Sequence, residues 1–127
     1  GAGITGVIMN QQTVDIFNPK TIRATMGSIF RVPFVYVPEL SPVLTQMHER
    51  GIHTYAAHLK GQKYYDSFSF REPTAFLIGN EGNGLTKEIS DQAGQYLKIP
   101  MEGKVESLNA SIAAALLMYE AHRQRNL

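Results

Sequence analysis

Residues 76–85 read FLIGNEGNGL, in which an apolar run passes directly into a loop where three of six residues are glycine. The run TAFLI at residues 74–78 predicts a buried strand, and the glycines let the backbone behind it turn tightly and approach a ligand. The glycine order differs from the dinucleotide fingerprint, and no Gly-Lys-Ser/Thr follows as in a phosphate-binding loop. Glu81 would repel a phosphate inside this loop. The pattern favours either a sharp turn with a solvated Glu81 or a site for a cationic ligand or a hydrogen-bond network.

A second loop of interest follows downstream, where residues 99–111 read IPMEGKVESLNAS. It leads from a predicted strand at residues 96–99 into the longest predicted helix, at about residues 108–123. Ser107 is a plausible N-cap, which would place Asn109 in the first turn, where a small polar side chain can point into a site. One face of this helix carries the apolar residues Leu108, Ile112, Leu116 and Tyr119. A capped core helix with an alanine-rich packing face explains the same residues.

The rest of the chain alternates short apolar runs with helix-like segments. We predict strands at 4–9, 34–37 and 52–57, helices at 18–30, 41–51 and 86–93, and a loop with at most a short helical turn at 60–71. The order predicts an α/β fold in one domain, residues 1–127, with a mostly parallel sheet flanked by helices. Ligands bind such sheets at the carboxyl ends of the strands, which is where the loops 79–85 and 100–107 lie.

Composition excludes several classes of function. The chain has 127 residues, 43% hydrophobic and 18% charged, as expected for a globular domain. No apolar run reaches the roughly 18 residues of a membrane span, and no signal-peptide pattern opens the chain, so a cytoplasmic location is expected. It has no cysteine, and its four histidines show no close ligand spacing, so no metal site is expected. With a net charge of only +1, any RNA role must depend on a local basic patch, a partner subunit or a missing domain.

Taken together, FLIGNEGNGL at 76–85, IPM at 99–101 and SLNAS at 107–111 resemble the second and third signature motifs of the SpoU/TrmH-type RNA ribose methyltransferases, in the SPOUT superfamily. Their order and separation match, and residues 18–28 are similar to a helix of that family. The resemblance implies an α/β knot, with a trefoil in the C-terminal half, although knotted chains are very rare. It also implies a homodimer that transfers a methyl group from S-adenosylmethionine to a ribose 2′-hydroxyl of tRNA or rRNA.

The resemblance assigns roles residue by residue. The S-adenosylmethionine cofactor would be held, largely through backbone groups, by Leu77, Gly79, Ile99, Met101 and Leu108. The catalytic organisers would be Glu81, Ser107 and Asn109. No metal is implied, because the sulfonium is already a strong electrophile and the protein has only to align the hydroxyl and help remove its proton. Arg23 is a candidate RNA-phosphate contact and equally a plain surface arginine.

The chain departs from the family at its beginning. The family's first motif, an asparagine followed by the arginine assigned to catalysis, precedes the strand placed here at residues 4–9, and the role of that arginine is not transferred to Arg23. We expect an N-terminally truncated fragment that binds cofactor weakly and methylates RNA poorly or not at all. Three alternatives stay open: a non-catalytic RNA-binding or dimerisation module on the same scaffold, a nucleotide-binding α/β domain of another class, and a methyltransferase acting on a base nitrogen.

Overall fold

A computed structural model describes residues 1–11, 13, 15–79, 84–105 and 108–127 of the chain. These residues form two compact units. One consists of Gly1 and Gly3–Leu40, and the other of Ala2 and Ser41–Leu127. No helix in the described ranges is long and apolar enough to cross a membrane.

The first unit contains two parallel strands, β1 (Val7–Met9) and β2 (Phe34–Tyr36), joined through the helix α1 (Pro19–Ala24). The helix begins as predicted at Asn18, whose side chain accepts a hydrogen bond from the Lys20 amide at 2.9 Å. Proline at the first helical position has the φ angle that a helix requires and no amide hydrogen left without a partner. The unit is therefore a single β-α-β connection.

The predicted helix over residues 18–30 is wrong in its length. It ends at Ala24, because Met26 and Gly27 take left-handed φ angles of 50° and 87°. A left-handed residue cannot continue a right-handed helix, and glycine adopts that conformation without steric cost. Residues Ser28–Phe30 then form a separate 3₁₀ turn.

The second unit is built on a three-stranded parallel sheet with β3 in the centre, in the order β4-β3-β5. Its elements in chain order are α2 (Ser41–Glu49), β3 (His53–Ala57), β4 (Thr74–Leu77), α3 (Lys87–Asp91), β5 (Gln95–Leu97) and α4 (Ala110–Arg125). The loop at 60–71 contains only a 3₁₀ turn at Tyr65–Ser67, as predicted. The mixed α/β architecture and the parallel pairing are confirmed, but within the described ranges hydrogen bonding divides the strands between two sheets.

The core of the second unit lies between this sheet and α4. Tyr55, Phe70, Leu97 and Leu117 form its buried cluster, in which the rings of Tyr55 and Phe70 meet edge to face at 5.0 Å. Gln124 fastens the end of the helix, because its side chain accepts a hydrogen bond from the Phe70 amide at 2.6 Å and donates one to the Phe68 carbonyl at 2.9 Å.

The face of α4 that is buried differs from the apolar face seen in the sequence. Leu117, Ala121 and Gln124 face the core, whereas Ile112 and Tyr119 are 53% and 54% exposed. Gln124 can lie in the core because its hydrogen bonds satisfy its amide. The apolar stripe of the sequence is therefore a surface of this unit.

After β3 the chain passes across the carboxyl end of β5, and residues 58–65 are called here the crossing segment. The His58 amide donates to the Leu97 carbonyl at 3.0 Å, whereas the Lys98 amide donates to the Lys63 carbonyl at 2.9 Å. Successive residues of a strand direct their backbone groups to opposite edges, so the crossing segment contacts both edges of β5. A Cβ at Gly61 would lie 2.9 Å from the Leu97 carbonyl carbon, which shows how closely the two backbones approach.

Candidate functional site

The candidate site lies at the carboxyl end of the three-stranded sheet, where both loops singled out in the sequence begin. β4 runs into the loop at 79–85, and β5 runs into the loop at 99–108. Because all three strands are parallel, the two loops leave from the same end of the sheet. One strand separates them, so their starting points are about 10 Å apart, twice the spacing between neighbouring strands.

The first loop closes on itself at Gly79. A Cβ placed on Gly79 would lie 2.5 Å from the Gly84 carbonyl carbon and 2.7 Å from its Cα, and closer still to the Leu85 amide nitrogen. Carbon atoms in contact are normally 3.5–4.0 Å apart, so only glycine fits. Gly84 has a φ of 65°, which also favours glycine. Thr86 then caps α3 by accepting a hydrogen bond from the Ile89 amide at 3.3 Å.

The second loop joins the core to the start of α4. Ile99 packs against the buried cluster, and the backbone turns at Gly103, where φ is 67°. The N-cap of α4 is Asn109, whose Oδ1 accepts hydrogen bonds from the Ser111 amide at 2.9 Å and the Ile112 amide at 3.3 Å. The prediction of Ser107 as the N-cap is therefore wrong. Asn109 precedes the helix with a ψ of 137° and does not lie in its first turn.

The structure brings most of the predicted cofactor residues to this end of the sheet. Leu77 is the last residue of β4, Gly79 starts the first loop, and Ile99 and Met101 follow β5, all of them half-buried. Leu108 is also half-buried and directly precedes the cap of α4. Backbone groups and partly covered apolar side chains thus surround the gap between the loops.

The predicted catalytic residues and the predicted RNA contact Arg23 have three different outcomes. Glu81 and Ser107 lie outside the described residues, so their roles stay predictions. The Oδ1 of Asn109 is engaged by the amides of α4, so this residue fixes the helix start. Arg23 is an exposed residue in the last turn of α1, in the first unit.

Sequence reasoning missed an aromatic pair at the same end of the sheet. His58 follows the central strand β3, and its ring stacks on Tyr96 with centroids 4.5 Å apart and planes 14° apart. The Nδ1 of His58 accepts a hydrogen bond from the Lys60 amide at 3.0 Å, and the Tyr96 hydroxyl donates to Asp91 at 3.1 Å. The predicted strand at 52–57 already placed residue 58 at this end, but only the glycine-rich and proline-containing loops were considered.

The shortest ion pair in the described part of the second unit lies on α4. Arg123 donates two hydrogen bonds to Glu120, at 2.8 and 3.0 Å, and these hold the pKa of that carboxyl below its usual value. The pair lines a cavity of about 430 Å³ with the exposed apolar face of the helix. In the described ranges, no group of three histidine, aspartate or glutamate side chains could hold a metal ion.

Comparison with known proteins gives a consistent result along the whole chain. The sequence model of the SpoU rRNA Methylase family matches residues 1–119. A TrmH-family tRNA/rRNA methyltransferase protein of Staphylococcus haemolyticus is 34% identical over 125 residues, which is 98% of this chain and 50% of that protein. The chain thus spans about half the length of the curated relatives it matches.

Two solved structures show the same likeness in three dimensions. The SpoU methyltransferase AviRb of Streptomyces viridochromogenes, in complex with the cofactor AdoMet, is 35% identical with a TM-score of 0.89, over 98% of this chain and 49% of that one. An RNA 2′-O ribose methyltransferase is 34% identical with a TM-score of 0.85, over 99% of this chain and 48% of that one.

Proposed function

This chain belongs to the SpoU rRNA Methylase family, and from that premise we propose that it is the cofactor-binding part of an RNA methyltransferase. The enzyme would transfer a methyl group from S-adenosylmethionine to a ribose 2′-hydroxyl of tRNA or rRNA. The observation that carries the proposal is the likeness, over 98% of the chain, to a methyltransferase structure that contains AdoMet. Likeness to an RNA 2′-O ribose methyltransferase supports the ribose as the acceptor.

The residues at the carboxyl end of the sheet fit this cofactor. At Gly79 the backbone comes so close to Gly84 that a methyl group has no room, so a side chain at this position would displace the main chain at the start of the proposed site. Leu77, Gly79, Ile99, Met101 and Leu108 would hold it. When bound, the sulfonium supplies an electrophilic methyl group.

The protein's own part is then to position the acceptor hydroxyl and to assist the loss of its proton. In-line alignment can lower a barrier by ~7–11 kcal/mol, and proton removal by a placed polar group contributes roughly 10²–10⁴-fold. We propose that Glu81 and Ser107 contact the acceptor. Asn109 would act by fixing the first turn of α4, to which Leu108 is joined.

Calorimetry with S-adenosylmethionine tests the cofactor assignment directly. We expect the purified chain to bind it with 1:1 stoichiometry and to discriminate against ATP and NAD. Mass spectrometry of RNA from cells lacking the full-length gene should then show the loss of one ribose methyl group. Retention of every ribose methyl, or loss of a base methyl, would contradict the acceptor assignment.

A non-catalytic module on the same scaffold is the second candidate, because the Oδ1 of Asn109, one of the predicted catalytic residues, is engaged by amides of α4. Under that function the chain would bind RNA, or itself, without binding S-adenosylmethionine. The same titration distinguishes the two functions. If S-adenosylmethionine does not bind at millimolar concentrations, the chain is not the cofactor-binding part of an enzyme, and the non-catalytic module is the remaining candidate.

We propose further that the protein is a homodimer that uses the exposed face of α4. Ile112, Leu116 and Tyr119 are 53%, 37% and 54% exposed along one side of this helix, and apolar surfaces of this kind mark sites of association. Leu116→Asp should convert the dimer to a monomer in sedimentation velocity. Leu59→Asp, at a residue 64% exposed outside α4, is the matched control. A wild-type chain that sediments as a monomer at ~100 μM would contradict the dimer.

We also propose the trefoil knot that the family resemblance implies. The crossing segment contacts both edges of β5, which supports threading of the later chain through an earlier loop. An experimental map in which the backbone passes residues 79–85 and 100–107 without threading would contradict it.

A further inference from the structure

Four side chains share one face of the sheet beside the crossing segment. Tyr96 and Lys98 are two residues apart along β5 and its extension, and Tyr64 is the parallel partner of Lys98. His58 joins them, because it stacks on Tyr96. Residues two apart in a strand point to the same face, as do register partners on neighbouring strands. His58, Tyr64, Tyr96 and Lys98 are called here the crossing surface.

The crossing surface is basic although the chain as a whole is close to neutral. Residues 58–65 and 96–101 contain three lysines, Lys60, Lys63 and Lys98, and no carboxylate, and the nearest carboxylates along the chain are Asp66 and Glu102. Within the described ranges, none of the three forms an ion pair, and Lys60 and Lys63 are exposed. The nearby Asp91 is occupied by the Tyr96 hydroxyl and by Lys87. Lys60 and Lys98 thus add positive charge near His58 and Tyr64, whereas Lys63 directly precedes Tyr64 in an extended segment and its side chain lies on the opposite face.

Tyr64 adds an aromatic ring at the edge of this basic region. It is 50% exposed, and its ring stacks on no other aromatic ring in the described part of the chain. Hydrogen bonds on both sides of Tyr64 fix its backbone position. The Lys98 amide donates to the Lys63 carbonyl, and the Tyr65 amide donates to the Lys98 carbonyl, each at 2.9 Å. An exposed tyrosine on a fixed backbone can stack on a nucleobase with little loss of conformational entropy.

We propose that the crossing surface binds single-stranded RNA next to the methylation site, with Lys98 and the nearby Lys60 contacting phosphates and Tyr64 stacking on a base. This inference rests on the proposed function and adds the position of the RNA strand. A single strand is favoured over a duplex because bases in a duplex are already stacked and cannot cover a tyrosine ring. The site also lies at the carboxyl end of β5, from which the second cofactor loop starts.

Fluorescence anisotropy with a labelled 12-nucleotide oligouridylate, over a series of salt concentrations, measures both contributions. Removing one phosphate contact from a single strand lowers the slope of log K against log salt by about 0.7. We expect that change in Lys98→Gln and not in Arg50→Gln, which removes the same charge at an exposed residue at the amino end of β3. Tyr64→Leu should weaken binding by at least about fivefold, and Tyr64→Phe, which keeps the ring, should bind within about twofold of wild type.

The variants also separate this inference from the proposed function. Each is titrated with S-adenosylmethionine by calorimetry and checked for an unchanged melting temperature, and Lys60→Gln, at an exposed residue, replaces Lys98→Gln if the latter fails to fold. Normal cofactor binding with an unchanged salt slope in Lys98→Gln, or unchanged affinity in Tyr64→Leu, overturns the crossing surface and leaves the proposed function standing. Tighter binding of a 12-base-pair RNA duplex, indifferent to Tyr64, also overturns it. Failure of the wild type to bind S-adenosylmethionine, with oligouridylate binding as expected, counts against the enzyme and supports the surface.

Discussion

Replacing Gly79 with alanine adds a single methyl group where the loop at 79–85 has no space for one. The new Cβ would lie 2.5 Å from the Gly84 carbonyl carbon, against a normal contact of 3.5–4.0 Å, so one backbone must move by about 1 Å. The φ angle of Gly79 is not left-handed, so the penalty is steric and confined to this contact. Overpacking of this kind costs roughly 1–3 kcal/mol.

That displacement falls on the main-chain groups proposed to face the cofactor. We expect Gly79→Ala to weaken S-adenosylmethionine binding at least about tenfold in calorimetry, since each 1.4 kcal/mol is a factor of ten. The melting temperature should fall by about 3–10 °C. Gly6→Ala is the matched control, because its Cβ would meet only the Pro33 carbonyl oxygen at 3.6 Å, an ordinary contact. Its melting temperature and affinity should stay near those of the wild type.

The result that refutes this reasoning is specific. If Gly79→Ala binds S-adenosylmethionine as tightly as the wild type, the close approach of the two ends of the loop is not what shapes the cofactor site. If the melting temperature is also unchanged, the approach itself is absent from the protein in solution.

Three further predictions concern caps, backbone strain and pH. Asn109→Ala removes the N-cap of α4 and should lower the free energy of unfolding in urea by about 1 kcal/mol. Asn109→Asp keeps the hydrogen-bond acceptor and should not lower it. Equal losses of stability in both variants would contradict the capping role. A Cβ at Gly84 would meet no other atom, but the φ of 65° is unfavourable for alanine. Gly84→Ala should therefore lower the free energy of unfolding by about 1–2 kcal/mol, and Gly84→Asn should lower it less. A Gly84→Ala variant as stable as the wild type would show that the turn relaxes. Because hydrogen bonds from Arg123 lower the pKa of Glu120 in the folded state, the stability due to this pair should be complete above the ordinary glutamate pKa and lost as pH falls through the lowered value. Glu120→Gln should therefore be less stable than wild type at pH 7 and show a weaker acid dependence, and parallel urea-stability curves of the two proteins from pH 7 to about pH 3 would contradict this.

The strands and their loops were predictable because their signals are local. The run TAFLI at 74–78 and the glycines behind it place β4 to within one residue, and the parallel order of the sheet follows from the alternation of elements. The roles proposed for Leu77 and Ile99 in cofactor binding came from the family resemblance and from no pattern of spacing. A pattern shows which residues can lie near a site, and only chemistry already known for related proteins says what binds there.

The errors arose where two local signals compete or where packing decides. Ser107 and Asn109 are both good N-cap residues, and the geometry of the turn at Gly103 cannot be read from either. On α4 the buried face includes Gln124, which no apolar pattern marks, because its burial depends on backbone groups of a loop more than 50 residues earlier. The break of α1 at Gly27 had a visible signal that the longer helical pattern outweighed.

The crossing segment also has a consequence for how the chain reaches its native state. The backbone hydrogen bonds of His58 and Lys63 on the two edges of β5 are made with residues 97 and 98. These bonds cannot form until some 35 later residues are present. During synthesis, which proceeds from the amino terminus, the crossing segment therefore lacks these hydrogen bonds until β5 has been made. Closing contacts of such long sequence separation is slow, so we expect folding to be limited by the capture of β5.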